Sequence, residues 1–119
     1  MLPAHNRMRT SGDFRATIRG GVRGRSSSLM LHVCSPDDAD PADQVSALVG
    51  FVVPKTVGNA VVRNRVRRQL RHLMRERVQH LRPGESVVVR VFPAARGKEW
   101  SELESDLDRA WSKAFKDRP

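Results

Sequence analysis

The 119-residue chain has one cysteine, Cys34, no tyrosine, and an aromatic content of only 5%. A single thiol excludes a disulfide framework and any cysteine-built zinc cage. No apolar run approaches the roughly 18 residues that a membrane helix needs. The opening stretch, residues 1–14, lacks the apolar segment of a secretory signal. With so few rings, the core has to be built mainly from Val, Leu, Ala and Ile. The length suits one domain, 1–119, able to bury about two thirds of its unfolded surface without a staple. The expected setting is the cytoplasm.

Negative charge is scarce where positive charge is dense. Lysine and arginine number 22 against 13 aspartates and glutamates, a net charge of +9. Residues 1–36 carry +5, residues 37–53 carry −4, residues 54–96 carry +9 and residues 97–119 carry −1. An excess of this size points to a polyanionic partner, nucleic acid or an acidic membrane surface. The third block should meet that partner first. Eighteen of the cations are arginine, which forks onto phosphate and stacks on bases as lysine cannot. Genome base composition would also explain that bias.

Turn and breaker residues divide the chain. Residues 1–10 read as a basic arm without periodicity. Ser11 is a plausible cap for a short helix carrying Phe14 and Ile18 on one face, stopped by Gly20-Gly21. Residues 26–34 read as a strand. Residues 35–44, rich in Asp and Pro, read as a mobile acidic loop. Residues 45–53 form a β-branched strand ended by Pro54. A short connection, 55–60, leads to Asn59 as the cap of the longest helical pattern, 60–82, closed by Pro83-Gly84. Residues 86–92 are another strand. Ser101 and Glu104 have capping-box spacing ahead of a last helix striped by Leu103, Leu107, Ala110, Trp111, Ala114 and Phe115. The order is α-β-β-α-β-α, with an extra strand if 45–53 splits. The fold class is an α/β (α+β) two-layer sandwich around one small mixed sheet.

On a helical wheel, Val62, Val66, Leu70, Leu73, Met74, Val78 and Leu81 share an arc wide enough to bury against a sheet. Asn64, Arg65, Arg68, Arg71, His72, Arg75 and Gln79 share the opposite arc. Arg68, Arg71 and Arg75 are like-charged neighbours at helical spacing, which costs a few tenths of a kcal/mol per pair in an isolated helix. A merely solvated face normally mixes signs, and Glu76 is the only acid here. A bound polyanion would offset the cost, and nucleic acid fits better than a membrane because the helix has no aromatic residue. Arg63, Arg67 and Arg77 project on or near the apolar arc, so either they snorkel past the core edge or the helix departs from ideal.

Little in the chain suggests its own chemistry. Lys55-Thr56 lacks the glycine that a phosphate-binding loop requires directly before the lysine. The four histidines, His5, His32, His72 and His80, have no ligand spacing. His72 and His80 suit a surface or an RNA-facing position, and Cys34 suits a small core residue. Glu102, Glu104, Asp106 and Asp108 are explained by a helix dipole and cap. No nucleophile–base pair is legible.

The block Lys55-Thr-Val-Gly-Asn-Ala-Val-Val-Arg-Asn-Arg-Val-Arg-Arg68 closely resembles the signature of the bacterial ribonuclease P protein component, with Arg63-Asn64-Arg65 as its core. Arg7-Met8-Arg9 followed by Asp13-Phe14 is similar to that family's N-terminal pattern. The resemblance implies a parallel β-α-β unit with a left-handed crossover, against the usual right-handed rule. It implies an endoribonuclease subunit that helps remove the 5′ leader of precursor tRNA, while the catalytic groups and most of the Mg²⁺ ions belong to a large RNA. The implied partners are that catalytic RNA and precursor tRNA, with no membrane and no small-molecule substrate. RNA binding would fall to Lys55, Asn59, Arg63, Asn64, Arg65, Arg67, Arg68, Arg71 and Arg75. A leader-binding cleft would use Arg7, Arg9, Phe14, Ile18 and His32. The family often has aromatics where this chain has Ile18 and His32, so stacking should carry less of the leader affinity. Phe14 and Ile18 fit ordinary core packing equally well, and His32 could hydrogen-bond a base or phosphate. The alternative reading is a non-enzymatic RNA-binding ribosomal or assembly protein, and a weaker one is a protein-only nuclease.

Overall fold

The computed structural model describes residues 2–35 and 46–116. Val22–Arg25 (β1) and Leu29–Cys34 (β2) form an antiparallel hairpin. The Ser26 N–H closes its turn on the Leu29 carbonyl at 2.8 Å. β2 pairs antiparallel with Ser86–Val91 (β4), and β4 pairs parallel with Leu48–Val52 (β3), giving the order β1-β2-β4-β3. A parallel pair needs a crossover, and Ala60–Arg77 (α2) supplies it. The fourth strand is therefore 22–25 and does not come from a split of 45–53. β1 has only one buried residue, Gly24, so its extended form comes from pairing with β2 and not from apolar patterning.

Strand alternation sorts the sheet into two faces. Leu29, Leu31, Val33, Val49, Val87, Val89 and Val91 point to one face, each less than 5% exposed. There they meet Val66, Leu70, Leu73 and Met74 of α2 and Leu103, Leu107, Ala110 and Ala114 of Trp100–Ala114 (α3). Full burial of such side chains is worth about 1.5–3 kcal/mol each before conformational entropy is subtracted. Ser11–Gly20 (α1) lies across the other face. Its buried Thr17 donates to the Ser86 hydroxyl at 2.9 Å, and Ser86 points away from the Val87 side.

The basic arm is docked. Leu2 and Met8 are buried, Asn6 Nδ2 donates to the Ala47 carbonyl at 2.8 Å, and Met8 N–H donates to the Val49 carbonyl at 2.9 Å. Residues 6–9 thereby run along the free edge of β3. The strand expected over 26–34 begins at Leu29, and the long helix ends at Arg77, continued by a 3-10 turn over Val78–His80. Thr10, not Ser11, caps α1, accepting from Asp13 N–H at 3.1 Å. The capping box of α3 is Glu99–Glu102, two residues ahead of the expected Ser101–Glu104, which lets Trp100 join the helix. The acidic segment falls outside the described residues from 36 to 44, as does Val45.

Asp106 overturns the dipole explanation given to it. It is buried on the core-facing side of α3 and accepts hydrogen bonds from Ser28, from Lys98 and, at 3.2 Å, from Ser27. Burial pushes its carboxyl up. The hydrogen bonds from Lys98 and Ser28, with the Lys98 charge and Ser27, outweigh that and hold it below the usual carboxylate range. The cluster ties the β1–β2 turn to α3 and to the loop before it.

Candidate nucleic-acid interface

The interface starts at the cap of α2. Asn59 accepts from the Val62 N–H through its side chain at 3.0 Å, satisfying one of the free donors of the first turn. Gly58 stands before it because a Cβ there would lie 2.9 Å from the Val62 side chain. With Val66, Leu70, Leu73 and Met74 turned to the core, the opposite face carries Asn64, Arg65, Arg68, His72 and Arg75 exposed and Arg71 half-buried. Among the described residues no carboxylate pairs with Arg65, Arg68, Arg71 or Arg75. Lys55, exposed in the 3-10 turn Lys55–Val57, extends the ridge past the cap.

The three off-face arginines snorkel, each in its own way. Arg63 Nε donates to the Val53 carbonyl at 3.1 Å and so anchors α2 to the end of β3. Arg67 donates to Asn64 Oδ1 at 3.1 Å. Arg77 turns away from the ridge, donating to the Leu73 carbonyl at 2.8 Å and to Asp108 of α3 at 2.7 Å, with Glu104 at 3.8 Å. Arg77 thus joins two helices and leaves the ridge otherwise uncapped.

The free edge of β3 then brings two sets of residues into one groove of about 460 Å³. Arg7 and Arg9 enter from the docked arm, Phe14 from α1, and Arg67 and Arg71 from α2, over a floor of Val49, Gly50 and Phe51. Phe14 is half-buried and rests on Gly50, where a Cβ would lie 2.5 Å from the ring. Partial burial, then the neighbouring guanidiniums of Arg7 and Arg67, hold Arg71 below its ordinary range. Such crowding of like charge in a partly desolvated groove favours an anion of matching shape. An arginine cluster beside an aromatic ring suits single-stranded nucleic acid, whose phosphates and base faces need these two chemistries.

Two expected cleft residues are not brought there. Ile18 is 38% exposed one turn beyond Phe14 and does not line the groove. His32 is 2% exposed on the α1 side of β2, with both ring nitrogens buried and without a hydrogen-bond partner. Burial, then Arg23 and Arg90, holds its imidazole below the usual histidine range. A sealed, neutral ring cannot hydrogen-bond a base or phosphate, so the cleft role given to His32 is withdrawn. Met8 and Phe51 line the groove, although neither was given a cleft role in the sequence. The signals that could have found them were the Arg7-Met8-Arg9 pattern and the position of Phe51 in the β-branched run.

The Ribonuclease P family matches residues 2–115 of this chain. The chain belongs to the ribonuclease P protein family. A ribonuclease P protein component from Streptomyces avermitilis is 46% identical over 113 residues, covering 92% of each chain. One from Beutenbergia cavernae is 47% identical over 108 residues, covering 91% of this chain and 87% of its own. The fold matches the solved RNase P protein of Staphylococcus aureus with a TM-score of 0.77 at 20% identity, over 92% of this chain and 97% of that one. In this ribonuclease P family member, the signature block 55–68 spans the turn, cap and first half of α2, where Lys55, Arg65 and Arg68 stand exposed.

Proposed function

We propose that this chain is the protein subunit of a ribonuclease P ribonucleoprotein. It binds a catalytic RNA along the ridge of Lys55, Asn64, Arg65, Arg68, Arg71 and Arg75. It holds the single-stranded 5′ leader of precursor tRNA in the groove of Arg7, Arg9, Phe14 and Arg67. The observation that carries this reading is the convergence of the arm, α1 and α2 at the edge of β3, next to a helix face free of paired acids. Asn59 and Arg63 act by positioning: one caps α2, the other fixes it to the sheet.

Phosphate contacts from guanidiniums bind any sequence, which suits a subunit that serves every precursor. With about 6–10 such contacts, affinity falls roughly 10³–10⁵-fold between 50 and 200 mM salt. The protein's contribution to cleavage is to screen the charge of two RNAs that must approach each other and to hold the leader in line. Hydrolysis uses groups and Mg²⁺ of the catalytic RNA. The groove does not suit Mg²⁺, since its lining offers four arginines and no carboxylate, whereas that ion needs oxygen donors.

Single-turnover cleavage of precursor tRNA at low Mg²⁺ tests the proposal. Catalytic RNA plus protein should cleave faster than the RNA alone, with the protein alone inactive. No acceleration, or cleavage by RNA-free protein, refutes it.

A further inference from the structure

Trp100 is the exposed aromatic among the described residues, 39% accessible, while Trp111 and the four phenylalanines are half-buried. Its ring meets that of His72 in a T-shaped contact, centroids 5.1 Å apart with planes at 74°. His72 lies inside the cationic ridge, four residues after Arg68 and three before Arg75, so all three share one face of α2. An indole is therefore fixed beside the strongest run of unpaired positive charge, on a different helix from the one that carries the charge.

We propose that Trp100 and His72 form a stacking platform for an unstacked nucleotide of the RNA held on α2. This rests on the ribonucleoprotein reading above and extends it to α3. A T-shaped pair leaves each ring with a face the other does not cover. Because His72 already braces the indole, little side-chain freedom remains to be lost when a base arrives. Phosphates held at Arg68 and Arg75 deliver that base to the rings, and cation-rich grooves with aromatic rings are the general form of single-strand recognition. A duplex has no free base face to offer, so the platform selects an unpaired nucleotide, bulged or in a loop, without selecting its identity. The competing role is to cover the joint between α2 and α3. That role requires stability and not affinity to depend on the indole.

The test uses the full chain and the catalytic RNA. In a Trp111→Phe background Trp100 is the only indole, and its fluorescence should be quenched as the RNA is titrated in. Trp100→Ala should weaken RNA binding by roughly 5- to 150-fold, the range for one stacked base, with the slope of log affinity against log salt unchanged. Trp100→Phe should recover most of the loss. Arg68→Ala should lower that slope by about 1. Thermal melts identify any variant that fails to fold, and Trp100→Phe then carries the test. Unquenched fluorescence, or Trp100→Ala affinity within about twofold of the parent while Arg68→Ala still weakens binding, overturns the platform and leaves the ribonucleoprotein reading standing. Loss of both effects overturns the ridge itself.

Discussion

The ring of Phe14 rests on the bare backbone of Gly50: a Cβ at Gly50 would fall 2.5 Å from Phe14 Cε1 and 3.0 Å from Met8 Sδ. The glycine interrupts a β-branched strand, and it lets α1 and the docked arm come down onto β3 to form one wall of the groove. We expect Gly50→Ala to push the ring outward, because a side-chain tip moves more readily than a paired strand. Overpacking of this kind costs about 1–3 kcal/mol. In competition binding, the preference for precursor over mature tRNA should shrink several-fold while affinity for the catalytic RNA holds. An unchanged preference would place the leader elsewhere.

Arg65 and Arg109 separate the ridge from general charge. Arg65 is exposed and pairs with no carboxylate among the described residues, whereas Arg109 lies 3.9 Å from Asp106 on α3. Arg65→Ala should weaken binding of the catalytic RNA and reduce the salt slope by about 1. Arg109→Ala should change neither beyond the effect of net charge. Equal losses in a mobility assay would mean that the ridge has no privileged role.

His32 makes the fold sensitive to acid. Its imidazole is buried without a partner, faces Arg23 from β1 and Arg90 from β4, and has its affinity for a proton lowered by that setting. The unfolded chain therefore takes up a proton first as pH falls. The stability contributed by neutral His32 is present above about pH 6.5 and is lost as pH drops below that value. His32→Phe removes an unsatisfied buried group of similar shape, so stability near pH 7.5 should stay within about 1 kcal/mol of the parent or rise. Its melting temperature should also fall less between pH 7 and pH 5. A parallel decline in both proteins would show that His32 is not the group responsible.

Asp106 contributes with the same direction at lower pH. Its carboxyl is held below the ordinary range, so its contribution is present above about pH 4 and disappears as pH falls through the depressed value. Asp106→Ala strands Lys98, Ser27 and Ser28 without their shared acceptor. Because Lys98 is 20% exposed, the expected loss is about 2–3 kcal/mol rather than the full cost of an orphaned buried charge. Urea unfolding measures it, and a loss below about 1 kcal/mol would contradict the clamp.

Most of α2 was legible in the sequence. Its cap at Asn59, its buried Val66, Leu70, Leu73 and Met74, and its cationic outer face all follow from helical spacing. The aims of Arg63 and Arg77 were not, because the Val53 carbonyl and the Asp108 carboxylate they reach are brought close only by tertiary packing, whereas Arg67 bonds Asn64 within α2 itself. β1 was hidden because Val22-Arg-Gly-Arg25 carries no apolar alternation and is extended only through its ladder with β2. Asp106 left a signal that a dipole argument masked: it falls between Leu103 and Ala110 on the buried stripe, where an acid needs partners. His32 was assigned to the cleft from the family resemblance alone, and its burial follows from α1 lying over that face of β2. The groove itself depends on residues 6–9 lying along β3, a tertiary pairing that no local pattern encodes.

Site-directed photocrosslinking in the assembled particle tests most directly whether two RNA surfaces meet at the edge of β3. A photoreactive side chain at position 68 should crosslink to the catalytic RNA, and one at position 9 to the 5′ leader of bound precursor tRNA. Crosslinks from position 9 that persist unchanged with leaderless tRNA, or none to the catalytic RNA from position 68, would contradict the arrangement.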